Sequence, residues 1–279
     1  MSLSFQTNVT ALTAENNLQV NSNFQSQTID QLTSGYRINS SGDDAAGLAV
    51  ANGLRSTVNE LTQGVRNATD GTNILQTIDG GLNNISNILD QLKSLATQSA
   101  SGTFSGNRST LNQEFTTLLG EIDRQAANIG LGTGTGSSAT YNASISVYIG
   151  GGSTQANAQV TIDLSGSANV VNSGGLGIGL DTVDTQAHAL TAIADITNAV
   201  QTLGLTQGTV GTGENDLNYA ISLAQSQITN DSASESSIRD ADIATEAANL
   251  TKSQVLEQSS VAALAQANAA PQALLKLLQ

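Results

Sequence analysis

The groups able to do chemistry are few. His188 is the single histidine of the 279 residues, and cysteine is absent. A thiolate nucleophile, a disulfide and a thiolate metal site are therefore ruled out, and a His-x-x-x-His zinc helix would need a second imidazole. His188 reads as an ordinary helix-surface residue. Asp43-Asp44 could serve a metal or an acid pair only with further His or carboxylate ligands beside them. Just ahead of a helix, two acids suit capping and the positive end of the helix dipole. Gly150-Gly151-Gly152 has no Lys behind it, as a phosphate loop requires, and reads as the start of a turn. No nucleophile–base pair or metal constellation emerges. An enzyme is the least expected class, and no catalytic residue, cofactor or metal is implied.

Charge narrows the partners. Acids outnumber bases 23 to 9, for a net charge of −14. Phosphate binding needs clustered Lys and Arg, so nucleic acid is not expected, nor is an anionic membrane surface. No apolar run approaches the ~18 residues of a membrane span. The N-terminus lacks a basic stretch followed by an apolar one, so a Sec-type signal peptide is not expected and any exit from the cell would use a dedicated route. Only 11% of residues are charged and 3% aromatic. Such a composition leans toward low complexity, but long regular heptads at both ends overrule it.

The longest of these runs from Leu54 to Ala96. Steps of four and three join Leu54, Val58, Leu61, Val65, Ala68, Thr72 and Leu75, then Ile78 or Asp79, Leu82, Ile85, Leu89, Leu92 and Ala96. That is about six heptads of one apolar seam. Gly64, Gly71, Gly80 and Gly81 each cost roughly 1 kcal/mol relative to Ala, so the seam must be held by partners along most of its length. A helix from Asp43 to Gly102 would span roughly 85–90 Å at 1.5 Å per residue, which argues for an elongated molecule. Ser41 or Asp43 is expected to cap it. Before it, residues 1–40 carry a narrow stripe including Leu12, Phe24, Ile29, Leu32 and Tyr36, expected to be disordered alone and helical when a partner covers it.

Behind the seam, a turn at 101–109 and a helix from Arg108 to Ile129 predict an antiparallel hairpin. Between Gly130 and Gly179 the period changes to two. Ala143–Ile149 and Gln159–Leu164 alternate apolar with polar residues and predict a small β-hairpin. Helical spacing returns from Asp181 and resumes at Leu217. Between them Gly204, Gly208, Gly211 and Gly213 leave loop and weak helix equally open. The last stretch keeps four-three steps through Ile243, Ala247, Leu250, Gln254, Glu257, Val261, Leu264, Asn268, Pro271, Leu275 and Leu278. Pro271 is expected to end or kink that helix at Ala270. The fold class is mainly α: an elongated antiparallel helical bundle or coiled coil built from both chain ends, with a small β-hairpin region in the middle.

These motifs resemble bacterial flagellin. The N-terminal match covers Leu32 to Ser40, Asp43-Asp44-Ala45-Ala46-Gly47-Leu48-Ala49, Arg66 to Gly71, Leu95 to Ala100 and Glu121 to Arg124. The C-terminal match covers Ile238 to Glu246, Leu264 to Asn268 and Pro271 to Leu275. The resemblance spans roughly 1–130 and 180–279; the middle matches no particular flagellin. It implies a filament-core coiled coil from 1–42 and 236–279, an outer bundle from 43–130 and 181–235, and a β-hairpin with a variable surface segment at 131–180. It further implies a secreted structural subunit that polymerises into the flagellar filament for swimming and is exported by the flagellar type III apparatus. The partners implied are other copies of itself, a filament cap protein, a hook–filament junction protein and an export chaperone.

Subunit-interface candidates under this resemblance are Leu12, Phe24, Ile29, Leu32, Tyr36, Arg37, Asp43, Asp44, Val261, Leu264, Leu275 and Leu278. Arg239, Asp240 and Asp242 would form the junction between inner and outer domains. Arg37, near the opposite junction, is placed to pair with one of those acids, a surface contact worth under about 1 kcal/mol. The patch that a toll-like innate receptor detects in some flagellins aligns with Asp90 to Thr97 and Glu114. Leu95 and Glu114 match it. Gln91 stands where strongly detected flagellins carry arginine, which predicts weakened recognition. Asn67-Ala68-Thr69 and Asn142-Ala143-Ser144 fit a glycosylation pattern that carries little weight in a bacterial protein. A hook–filament junction protein is the alternative within the superfamily. A filament with an added adhesin role, presented by the Gly/Ser/Thr-rich middle, is another.

Overall fold

The computed structural model describes residues 7–133, 140–151, 158–166 and 169–277, with side chains described as far as 269. Five helices and one strand pair follow in order: α1 Val9–Ser34, α2 Ala45–Ala100, α3 Arg108–Asn128, β1 Ser144–Tyr148, β2 Gln159–Asp163, α4 Gln186–Arg239 and α5 Ile243–Leu277. The chain divides into two compact units. One joins Met1–Ser56 to Asn230–Gln279; the other is Thr57–Thr229.

The unit Thr57–Thr229 has a dry core. From α2 it takes Leu61, Ala68, Leu75, Ile78, Leu82, Ile85, Leu89, Leu92 and Ala96, from α3 Phe115, Leu119, Ile122 and Ala126, and from α4 Ala189 through Ala224. The α2 seam follows the expected heptads with one shift. The core-facing positions between Leu61 and Leu75 include Gly64 and Gly71, while Val65 and Thr72 are only half-buried. The reason is the β-hairpin. A Cβ on Gly64 would run into the carbonyl oxygen of Ile149, and one on Gly71 would stand 3.0 Å from Val147. Across the hairpin, a Cβ on Gly213 of α4 would lie 2.9 Å from Ile162. Seam glycines thus let the apolar face of the hairpin approach the helices closely, which offsets their helical cost.

The hairpin keeps period two. Ser144 pairs with Asp163 and Tyr148 with Gln159, Val147, Ile149, Ile162 and Leu164 are buried, and the outer row ties Ser146 to Thr161 at 3.3 Å. Gly150 and Gly151 turn away at positive φ; Gly152 lies outside the described residues. Asn67, on the first sequon, donates to Tyr148 O at 3.0 Å and is a hairpin contact.

The glycine-rich stretch resolves as helix. α4 is continuous through 204–213 because Leu203, Thr206, Val210, Gly213 and Leu217 all face the core. Gly204, Gly208 and Gly211 meet nothing on the outer side. His188, by the first turn of α4, lies on the surface with Nδ1 2.7 Å from Asp184.

Candidate subunit interface

Met1–Ser56 with Asn230–Gln279 is built differently. Local chemistry starts each helix. Asn8 Oδ1 accepts from Ala11 N at 3.2 Å and caps α1. Gly35, at φ 76°, closes it by donating to Gln31 O. The cap of α2 is neither Ser41 nor Asp43 but Asp44, whose Oδ1 accepts from Gly47 N at 2.9 Å. Asp43 instead closes the preceding turn, accepting from Ser40 N at 2.8 Å and Asn39 N at 3.1 Å. The Ser40 amide, ahead of that of Asn39, lowers its pKa below the usual carboxylate value. Asp242 caps α5 through Ala244 N at 3.0 Å and the Thr245 hydroxyl at 3.0 Å, and the Thr245 hydroxyl bond is the main cause of its lowered pKa.

The two interhelix connections are zipped together. Ala241 N donates to Gly35 O at 2.9 Å, and Arg37 N to Arg239 O at 2.6 Å, around a bridge between Tyr36 and Asp240. Among the described residues Arg37 pairs with no acid. Its Nη2 donates to Ile238 O at 2.6 Å, satisfying a carbonyl at the negative end of α4. Arg239 stacks 4.1 Å above the Tyr36 ring and lies 3.9 Å from Glu235. Asp240 accepts from Ser236 at 2.6 Å. Tyr36, Arg37, Arg239 and Asp240 therefore meet, whereas Asp43 and Asp44 stay in the turn.

Helices α1 and α5 pack antiparallel, as the pairing of Asn8 with Ala267 at one end and Gly35 with Ala241 at the other requires. Their seam is mixed, with many polar or small side chains and few large apolar ones. On α1 the covered positions include Ala11, Ala14, Leu18, Asn21, Gln25 and Thr28; on α5 they include Glu246, Asn249, Leu250, Ser253, Glu257, Ser260 and Leu264. Asn21 donates to the Ser260 hydroxyl at 2.8 Å across it. Of the expected α5 row as far as Asn268, only Leu250, Glu257 and Leu264 turn toward α1. Ile243, Ala247, Gln254, Val261 and Asn268 are exposed, so the covered face is rotated away from the apolar one. Large apolar side chains point outward: Val9 is 65% exposed, Leu12 55%, Val20 58%, Val255 57% and Val261 52%. Phe24, Ile29 and Tyr36 are exposed as well, while Leu32 and Leu264 are half-buried. Pro271 does not end the helix, since α5 runs to Leu277. Leu275 lies on it, and Leu278 lies outside the described residues. Of the receptor-patch candidates, Gln91 on α2 and Glu114 on α3 are exposed, and Leu95 is half-buried against the core.

Comparison with known proteins agrees with these terminal elements. A family model for the bacterial flagellin N-terminal helical region matches residues 5–129, and one for the C-terminal helical region matches residues 193–278. A flagellin of Halalkalibacterium halodurans is 32% identical, with 98% of each chain covered. The chain belongs to the bacterial flagellin family.

A flagellin of Listeria monocytogenes is 33% identical over 98% of each chain. The flagellar filament 30.7 kDa core protein of Treponema maltophilum is 33% identical, covering 97% of this chain and 98% of that one. A crystal structure of Bacillus cereus flagellin aligns at 28% identity with a TM-score of 0.47, covering 61% of this chain and 94% of that chain. As a flagellin, the chain is a structural subunit of the flagellar filament. No helix among the described residues is long and apolar enough to cross a membrane.

Proposed function

We propose that this flagellin polymerises by burying the outward apolar faces of α1 and α5 against the same helices of neighbouring copies. One observation carries the reading: a helix pair whose seam is largely polar, with few large apolar side chains, while Leu12, Val20, Val255 and Val261 are more than half exposed. Each such side chain gains roughly 1.5–3 kcal/mol on full burial. A few per subunit, repeated over a non-closing interface, make an open helical polymer. Phe24 and Ile29 belong to the same outward face of α1. Tyr36, Arg37, Asp43 and Asp44 hold the connections that orient them. Elongation of filament seeds by the purified full chain is the test. Growth is expected, and failure to extend any seed would overturn the reading.

The filament is extracellular, and the subunit reaches it through the flagellar type III apparatus with an export chaperone. A cap protein at the growing tip and a hook–filament junction protein at the base are its other contacts. Gln91 lacks the multidentate charged donor of an arginine, so a toll-like receptor would detect the Gln91, Leu95 and Glu114 surface weakly. A reporter assay giving the potency of a strong agonist would contradict this.

A further inference from the structure

We propose that Asn8 is the positioning residue that lets α5 run unbroken past Pro271, and that this bond sets the register of the two terminal helices. A helical carbonyl at residue i accepts from the N–H of residue i+4. Proline has no N–H, so Pro271 leaves the carbonyl of Ala267 without its helical donor. The structure supplies one from the other end of the chain: Asn8 Nδ2 donates to Ala267 O at 2.8 Å.

The same carboxamide caps α1, since Asn8 Oδ1 accepts from Ala11 N at 3.2 Å and from the Thr10 hydroxyl at 2.6 Å. One side chain thus starts the first helix and repairs the last. Few residues can do both. Aspartate and serine cap equally well, but aspartate has no donor and serine is too short to cap and reach across at once. α5 carries one proline, and it is the only proline of the chain. The freed carbonyl therefore exists at a single level, and a donor fixed at the first turn of α1 can meet it in only one register. In a seam mostly of Ala, Asn, Ser, Thr and Gln, with Leu18, Leu250 and Leu264 its larger apolar members, few knobs resist slippage, so the bond adds a marker to a weak pattern.

The inference rests on the filament reading for its assay. Wild type, Asn8→Ser, Pro271→Ala and the double variant are each added to filament seeds, and the critical concentration for growth is measured. Serine keeps the α1 cap and removes the cross-helix donor. Alanine at 271 restores an N–H for Ala267. Asn8→Ser alone should raise the critical concentration about three- to tenfold, in line with a half-buried carbonyl left unpaired. Pro271→Ala alone should change it less than twofold. The double variant should return to within about twofold of the parent. If wild type does not elongate seeds, the filament reading fails. If wild type grows and Asn8→Ser grows equally well, or Pro271→Ala helps the parent and the serine variant alike, the coupling does not exist and this inference falls. Should Asn8→Ser not grow at all, recovery in the double variant supports the proposal and no recovery contradicts it.

Discussion

The two units of this flagellin solve opposite problems with the same helix geometry. In Thr57–Thr229, Leu, Ile, Val and Ala at heptad spacing turn inward onto Phe115, although Leu180, Leu205, Tyr219 and Leu223 stay exposed. In α1 and α5 the covered seam holds Asn21, Thr28, Ser253 and Ser260 beside Leu18, Leu250 and Leu264, and Val9, Leu12, Val20, Val255 and Val261 face out. A dry core stabilises a chain by itself, whereas a polar seam barely offsets the entropy of ordering two helices. The difference divides labour. One unit has a core able to carry its own fold, and under the proposed function the other offers its apolar surface to copies of itself.

Substitutions can break that contrast at several strengths. The largest effect falls in the dry core. Phe115→Ala should lower the unfolding free energy of the monomer by about 3–5 kcal/mol, read as a lower midpoint in denaturant titration. A normal midpoint would mean Phe115 is not the packing centre its full burial makes it. Next come Leu12→Asp and Val261→Asp on the terminal faces. Monomer melting should move by less than about 0.5 kcal/mol. Each should cost filament growth the roughly 1.5–3 kcal/mol of a buried side chain, measured as a tenfold or greater rise in critical concentration. Equal loss in monomer and filament would erase the distinction between the units.

A smaller effect belongs to the caps. Asp44→Ala removes the acceptor for Gly47 N and should cost about 1 kcal/mol, whereas Ser41→Ala should cost nothing measurable in the same melt.

The smallest effect is a pH dependence inside the self-sufficient unit. Burial, and then the charge of Asp195, push the Asp181 carboxyl up to about 6. A carboxyl raised on folding favours the folded state when protonated. Its contribution is complete below about pH 4 and is lost as pH rises through 6. Asp181→Asn should therefore flatten the melting temperature between pH 4 and 7 and stabilise the protein at pH 7 by about 1 kcal/mol at most, once solvent screening is allowed for. A variant that melts lower than wild type at pH 7 would reverse the sign.

Much of this was legible in the residues. The α2 heptads, the α3 hairpin partner and the period-two strands came through because each is local and repeats. For Pro271 and Arg37 the deciding partner lies far along the chain, while 204–213 and the α2 cap turn on local detail. Gly204, Gly208 and Gly211 suggest a break by propensity, yet Leu203, Thr206, Val210 and Leu217 keep a core-facing rhythm through them. That rhythm was present in the sequence and should have outweighed propensity. Pro271 suggests a stop until Asn8 is seen to satisfy Ala267 O. Arg37 is expected to meet an acid, and the carbonyl of Ile238 takes its guanidinium instead. The α5 face toward α1 could not be told from an apolar pattern, because the apolar side is the one left outside. Asp44 was distinguishable from Asp43 only by where the helix begins.

The central claim is that α1 and α5 owe their order to neighbouring copies and the residues between Thr57 and Thr229 do not. Amide hydrogen exchange on the full chain, compared between dilute monomer and filament, tests it directly. Amides of 9–34 and 243–277 should exchange quickly in the monomer and slowly in the filament, while the core-facing stretches of α2, α3 and α4 stay protected in both. Terminal helices as protected in the dilute monomer as α3 would contradict the account.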